Sequence, residues 1–169
     1  WMVSKYAFHP VNIVEAQKTN RPQGREGLTM EHKIEIKKEL TITTQDVVDY
    51  VLCCEAGGFD YWAEICYKEE DYTAARARLL GPDNKSEADI CYEDVLADIL
   101  ERGCADGSHG KLTVYDREED KEHELTLEKL LDGWKKYVEK SGNDDFDQYD
   151  ADNADGILQY AIFGDWIYG

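Results

Sequence analysis

Cys104, Asp106 and His109 lie within one short segment, Gly103-Cys104-Ala105-Asp106-Gly107-Ser108-His109-Gly110. A thiol, an imidazole and a carboxylate are the parts of a nucleophilic cysteine relay, provided the base is held by its third group. Cysteine and histidine are also two ligands toward a zinc site that needs four. The segment is glycine-rich and polar, which gives no reason for a rigid site, so a plain loop is the expectation. Asp150-Ala151-Asp152-Asn153-Ala154-Asp155-Gly156 has the look of a calcium loop. Placing Gly156 at the loop's sixth position puts Ala151 at the first ligand position and Ile162 at the twelfth, where a bidentate Glu is required. An aspartate cap followed by a helix is the simpler reading, with a weak divalent site as its alternative. No GxGxxG, P-loop, HExxH or GxSxG occurs. Carboxylate pairs are uninformative among 37 acidic residues. The expectation is therefore no catalytic residue, no metal and no cofactor, with a cysteine hydrolase or divalent-metal enzyme as the minority alternative.

The acids are informative as a surface. The chain carries 37 Asp and Glu against 19 Lys and Arg, a net charge of −18 over 169 residues. Asp144, Asp145, Asp147, Asp150, Asp152 and Asp155 put six carboxylates into twelve positions without a lysine or arginine among them, and Phe146 and Tyr149 interleave. A second cluster comprises Asp116, Glu118, Glu119, Asp120, Glu122 and Glu124, diluted by Arg117 and Lys121. Glu69-Glu70-Asp71 is a third, and Glu93, Asp94, Asp98 and Glu101 are assigned to the outer face of a helix. Crowded like charges repel and cost stability. Duplex DNA carries one negative charge per ~1.7 Å. Rows of carboxylates can therefore occupy a positively charged nucleic-acid channel without any catalysis. The bland alternative is a set of solvated faces that keep the protein soluble. Direct binding of nucleic acid through such a surface is not expected, nor is a membrane span, since no apolar run approaches ~20 residues.

Positioning these groups falls to a mixed set of elements. Lys33 to Lys38 alternates and suggests a strand near 32–38. Thr43 or Thr44 caps a helix with Val47, Val48, Val51 and Leu52 inward, ended by Gly57-Gly58. Tyr61 to Tyr67 suits a strand or a buried helix. Asp71 to Leu80 and Ser86 to Arg102 read as helices, the second with Val95, Leu96, Ile99 and Leu100 inward. Residues 112–115 and 122–125 form a hairpin around the charged turn 116–121. Thr126 caps the strongest helix, with Leu127, Leu130, Leu131, Trp134 and Val138 as its stripe and Lys135, Lys136 and Lys140 near its C-terminus. Asp152 caps a last helix that offers Ile157, Leu158, Ala161 and Ile162 to the core. Trp166-Ile167-Tyr168 closes the chain as a short strand. About five helices with a small antiparallel sheet, mixed in order, predict a compact α+β domain.

Residues 1–29 stand apart. They carry +2, leaving −20 on residues 30–169. Met30 is expected to be the native start, because Arg25-Glu26-Gly27 suits a purine-rich run of the kind that precedes a bacterial start codon. Residues 1–29 are then a non-native or flexible N-terminal extension, and 30–169 a single acidic α+β domain. Five cysteines, an odd number, without a secretory leader suggest a reduced, cytoplasmic protein, with Cys53, Cys66 and Cys91 as small core residues.

Three motifs carry a resemblance. Glu55-Ala56-Gly57-Gly58-Phe59-Asp60-Tyr61-Trp62 resembles the E-x-G-G-x-x-Y/H-W signature of small acidic proteins from phages and mobile elements of gut Firmicutes. Glu124-Leu125-Thr126-Leu127-Glu128-Lys129 and Asp150 to Gly164 are similar to segments that follow it there. The resemblance spans roughly residues 41–169, and 68–90 departs from it. It implies a mobile-element setting, in which small acidic inhibitors of host nucleases occur, anti-CRISPR proteins against Cas9-type effectors among them. The resulting expectation is an anti-defence protein of the host bacterial cytoplasm whose partner is a host nuclease or other nucleic-acid-binding defence protein. Asp144, Asp145, Asp147, Asp150 and Asp152 would be one contact strip, Glu118, Glu119 and Asp120 another, with Phe146 and Tyr149 as apolar anchors. The competing expectation is a general acidic interaction module, in which Glu55–Trp62 and the Phe163–Tyr168 patch matter more than the carboxylates.

Overall fold

Thr43 starts the first helix by accepting from the backbone N–H of Asp46, while the Asp46 carboxylate accepts from the N–H of Thr43, a reciprocal capping box. The computed structural model describes residues 39–80, 86–145 and 148–169. The strand expected over 32–38 lies outside the described residues. Thr41–Gly169 is a compact unit.

Its elements are α1 (Thr44–Tyr50), a 3₁₀ turn (Leu52–Cys54), β1 (Ala63–Cys66), α2 (Glu69–Leu79), a second 3₁₀ turn (Glu87–Asp89), α3 (Tyr92–Arg102), β2 (Leu112–Asp116), β3 (Lys121–Leu125), α4 (Leu127–Ser141) and α5 (Ala151–Phe163). The described strands form one antiparallel sheet in the order β1-β2-β3, with Ile65 opposite Val114 and Val114 opposite His123. This is the α+β architecture expected. Alternation along β1 and β2 sends Ala63, Ile65, Leu112, Val114 and Asp116 inward. Trp62 and Phe59, both fully buried, fill the space before β1, and the Trp62 ring lies 5.4 Å from Phe163 and 5.2 Å from Tyr168.

Several expectations need correction. The third helix begins at Tyr92, not Ser86, because Ser86 turns onto Asp89 in its own 3₁₀ turn and Cys91 caps α3 by bonding the Asp94 carboxylate. Asp94 and Asp98 are buried, not on an outer face. Asp98 takes Arg78 Nε at 2.6 Å and Arg102 Nε at 3.3 Å. Asp71 is buried as well, accepting from the N–H of Ala105 at 2.7 Å. Cys53 and Cys91 are exposed and Cys66 is half-buried, whereas Cys104 joins the core. Leu131 is exposed, and Tyr137 and Gly133 are buried on α4 instead.

Asp150, not Asp152, caps α5. Its carboxylate accepts from the Asn153 N–H, and Asn153 Oδ1 accepts from the Asp150 N–H. The C-terminal Trp166–Tyr168 forms no strand. It is held by the side chain of Gln159, whose Oε1 accepts from the N–H groups of Ile167 and Tyr168 and whose Nε2 donates to the Tyr168 carbonyl.

Candidate acidic interaction surface

The loop after α4 presents the first expected strip. Gly142 ends α4 in the left-handed region (φ 70°), a conformation without steric cost for glycine. Asn143 Oδ1 then accepts from the Asp145 N–H, and the Asp145 carboxylate accepts from Gln148 Nε2 at 2.6 Å. Asp145, Asp150 and Asp152 are exposed and Asp144 is half-buried, while Phe146 and Asp147 lie outside the described residues. Tyr149 faces inward, unlike the outward anchor expected of it. Its hydroxyl donates to the Asn143 carbonyl at 2.9 Å and accepts from Trp134 Nε1 at 3.1 Å, and its ring lies 5.4 Å from Trp134. Burial pushes its phenol up to about 12, against the bond from Trp134. Tyr149 thus pins the loop to α4 and fixes where its carboxylates stand.

The second strip is the hairpin turn. Buried Asp116 accepts from the N–H groups of Glu118 and Glu119 at 2.9 and 3.1 Å, and from the Tyr168 hydroxyl at 3.0 Å. These bonds leave Glu118, Glu119 and Asp120 exposed on the rim. Lys121 pairs with Glu119, and Asp120 accepts from the Tyr115 hydroxyl at 2.6 Å.

Further acids lie near the strips, legible in the sequence only separately, in the Glu55–Trp62 motif and the face of the 86–102 helix, or, for Asp49 and Glu64, not at all. Arg117 bonds the Asp60 carbonyl and pairs with Glu64 at 3.1 Å, joining the hairpin to the 60–64 segment. Burial first, then Glu64 and Asp60, hold the Glu55 carboxyl above its ordinary range, with Arg117 opposing. Burial and the bond to Asp155 push the Tyr61 phenol up to about 12, and Asp152 adds to this from the start of α5. Asp150 acts likewise on the Cys54 thiol, behind burial. Two adjoining open concavities continue the surface. Glu55, Asp60 and Glu93 line one, Asp49, Glu93 and Asp94 the other, and Cys53 belongs to both. Negative groups from α1, the 55–60 segment and the start of α3 therefore share one surface, and the start of α5 adjoins it where Gly58 packs against the Ala151 carbonyl. They come from distant segments, so no run of acids marks them in the sequence. The Glu55–Trp62 motif and the Glu93-Asp94 pair each point to part of it.

No protein-family model, curated protein or solved structure matches this chain.

The parts of a cysteine relay are not brought together. Cys104 Sγ lies 3.5 Å from the His109 carbonyl and 3.9 Å from that of Lys111, while His109 Nε2 is 3.6 Å from Glu124. Asp106 accepts from the Ser108 N–H instead of the imidazole. Asp155 likewise points inward, to Trp62 Nε1 at 2.7 Å and Gln159 Nε2 at 2.9 Å, so it is spent as an internal acceptor. Among the described residues no group of three or more His, Cys, Asp or Glu is placed to hold a metal ion.

Cys53 reports on the field of this surface. Although the residue is exposed, its thiol is pushed up to about 12 by burial first, then by Glu93 and Asp49. The thiolate is the nucleophile, so a raised thiol reacts slowly until the pH is high. At about pH 8, iodoacetamide should alkylate Cys53 at least about tenfold more slowly than a free cysteine. Glu93→Gln should recover part of the rate. Peptide mapping by mass spectrometry measures both, and labelling at the free-cysteine rate would contradict the assigned field.

Proposed function

We propose that the chain is a non-catalytic anti-defence protein of a phage or mobile element. It acts in the host bacterial cytoplasm and binds the positively charged nucleic-acid groove of a host nuclease. A CRISPR-Cas9-type effector is the first candidate, and the consequence is blocked DNA binding or cleavage. The observation that carries this reading is the set of exposed and half-buried carboxylates that runs from Asp49 and Glu93, past Glu55 and Asp60, to Asp150 and Asp152 at the start of α5, where Gly58 packs against the Ala151 carbonyl. Such effectors hold nucleic acid in a basic channel recognised through its backbone charge. A surface of fixed carboxylates meets that channel with the charge of a phosphate backbone. Arg117 and Lys121 offset Glu64 and Glu119, so the 150–152 end carries more of the attraction than the hairpin end.

Cleavage assays with a panel of purified defence nucleases test this. Inhibition should weaken as salt rises, because exposed charges are screened. Asp144→Asn, Asp145→Asn, Asp150→Asn and Asp152→Asn combined should weaken inhibition at least about tenfold, roughly 1.4 kcal/mol. The melting temperature should hold, since asparagine caps a helix as well as aspartate does. Undiminished inhibition by the neutralised protein would refute the strip.

A second reading is favoured by one feature. Tyr61, Trp166 and Ile167 are 48%, 45% and 57% exposed around the α5 face that carries Gly156 and Gln159. An acidic interaction module that docks through this apolar group would hold its partner as salt rises, and would lose it on Trp166→Ala.

A further inference from the structure

Three tyrosines meet on the surface where β1 ends and α2 and α3 begin. Tyr67 follows β1, Tyr72 lies in the second turn of α2, and Tyr92 opens α3. The Tyr67 and Tyr72 rings stack at 5.0 Å with 25° between their planes. Tyr92 closes the group at 5.9 Å from Tyr67 and 6.4 Å from Tyr72. Tyr72 packs on the core, whereas Tyr67 and Tyr92 are each 38% exposed. Tyr72 thus anchors the group to the core while Tyr67 and Tyr92 present their rings outward.

The rim of this face is negative. Glu69 stands within electrostatic reach of Tyr67, and Glu55 within reach of Tyr92, each adding to burial in holding the phenol up. Glu93 lines the concavity that Tyr92 and Glu55 share. Arg117 also lines that concavity, where it is paired with Glu64 at 3.1 Å and bonds the Asp60 carbonyl, and Lys68 acts on the Asp106 carboxyl behind the Ser108 hydrogen bonds.

An exposed aromatic face with a carboxylate rim selects a cation. Its shape selects which one. Tyr67 and Tyr72 already touch ring to ring, so no slot opens between them for a quaternary ammonium to be walled in on several sides. A planar, weakly hydrated guanidinium needs only an open face, and its N–H groups then point sideways toward carboxylates. We infer that Tyr67, Tyr72 and Tyr92 form a docking face for an arginine side chain of a protein partner, with Glu55 and Glu69 receiving its N–H groups. This deepens the reading above and rests on it for the arginine's owner, the basic groove.

The test titrates the full chain with octa-arginine and octa-lysine peptides at one fixed salt concentration by isothermal calorimetry. The wild-type protein should prefer octa-arginine by about two- to fivefold for each ring contact made at an exposed site. Tyr67→Leu with Tyr92→Leu should abolish the preference and leave the residual charge attraction. Tyr67→Phe with Tyr92→Phe should keep it, because the ring face and not the hydroxyl does the work. Equal affinities in the wild type, an unchanged preference in the leucine variant, or loss in the phenylalanine variant each overturn the inference. Arginine preference without inhibition of any nuclease sinks the nuclease reading alone. Inhibition without arginine preference sinks this inference alone.

Discussion

Gln159→Leu is expected to lower the unfolding free energy by about 3 kcal/mol and to release the C-terminal segment. Gln159 is fully buried, and its amide is used on both sides. Oε1 accepts from the N–H groups of Ile167 at 2.8 Å and Tyr168 at 2.6 Å. Nε2 donates to the Tyr168 carbonyl and to Asp155 Oδ1, each at 2.9 Å. Leucine keeps the bulk and removes these four bonds together with the longer one from Nε2 to the Tyr61 hydroxyl at 3.5 Å. A buried group left unpaired costs about 1–3 kcal/mol, but Ile167 is 57% exposed, so water replaces part of the loss. Asp155 is less forgiving, since it stays buried while keeping Trp62 and Tyr61 as donors. Tyr168 packs tilted against Trp62 and bonds Asp116, so freeing the tail also uncovers the core beside the sheet. Urea unfolding gives the energy, and amide exchange at Ile167 and Tyr168 gives the location. A loss under about 1 kcal/mol with protection unchanged would mean the tail is held by its rings rather than by the amide.

The elements legible in the sequence are those whose signals are local. Thr43 with Asp46, and Thr126 before Leu127, are caps written within four residues, and both helices start there. The hairpin follows from the alternation of Leu112, Val114 and Leu125. What could not be read is what distant residues decide. Asp94 and Asp98 sit where a helix wheel turns polar groups to solvent, yet Arg78, twenty positions earlier, neutralises Asp98 inside. Asp150 and Asp152 look equal as caps. Asn153 is free to complete the box with Asp150, whereas the matching partner of Asp152 would be Asp155, which Trp62 claims. Trp166–Tyr168 has the composition of a strand and finds its partner in one glutamine side chain.

The candidate surface divides in the same way. The 144–152 run is legible because its acids crowd into one short segment, and most of those described are exposed. Tyr149 was misjudged because an aromatic among aspartates looks like an anchor for a partner, until Trp134 on α4 takes its hydroxyl. Asp49 is not legible as part of this surface, and Glu93 and Glu55 are named only within a helix face and a motif, because three segments deliver them one at a time.

Gly133→Ala sets two principles of opposite sign against each other. In an exposed helix the change would stabilise by about 1 kcal/mol, since glycine has more backbone freedom to lose. Gly133 is buried in α4 against α5, and a Cβ there would stand 2.6 Å from the Ala161 nitrogen, 2.7 Å from the Ala161 Cβ and 2.7 Å from the Ile157 carbonyl oxygen. Two of these three are backbone, which cannot rotate aside. The helices must part, and overpacking of this kind costs about 1–3 kcal/mol, occasionally more. A net loss of about 2 kcal/mol is expected, so crowding outweighs propensity. Adding Ala161→Gly removes only the Cβ contact and should restore part of the loss. The damage extends to the surface, because Asn153 Nδ2 donates to the Tyr137 hydroxyl at 2.7 Å and ties the start of α5 to α4. Displacing α5 moves Asp150 and Asp152 relative to the 55–60 acids, so on the proposed reading binding to a basic partner should weaken while net charge stays constant. A Gly133→Ala protein that melts higher than the wild type would show that α4 and α5 stand farther apart than described.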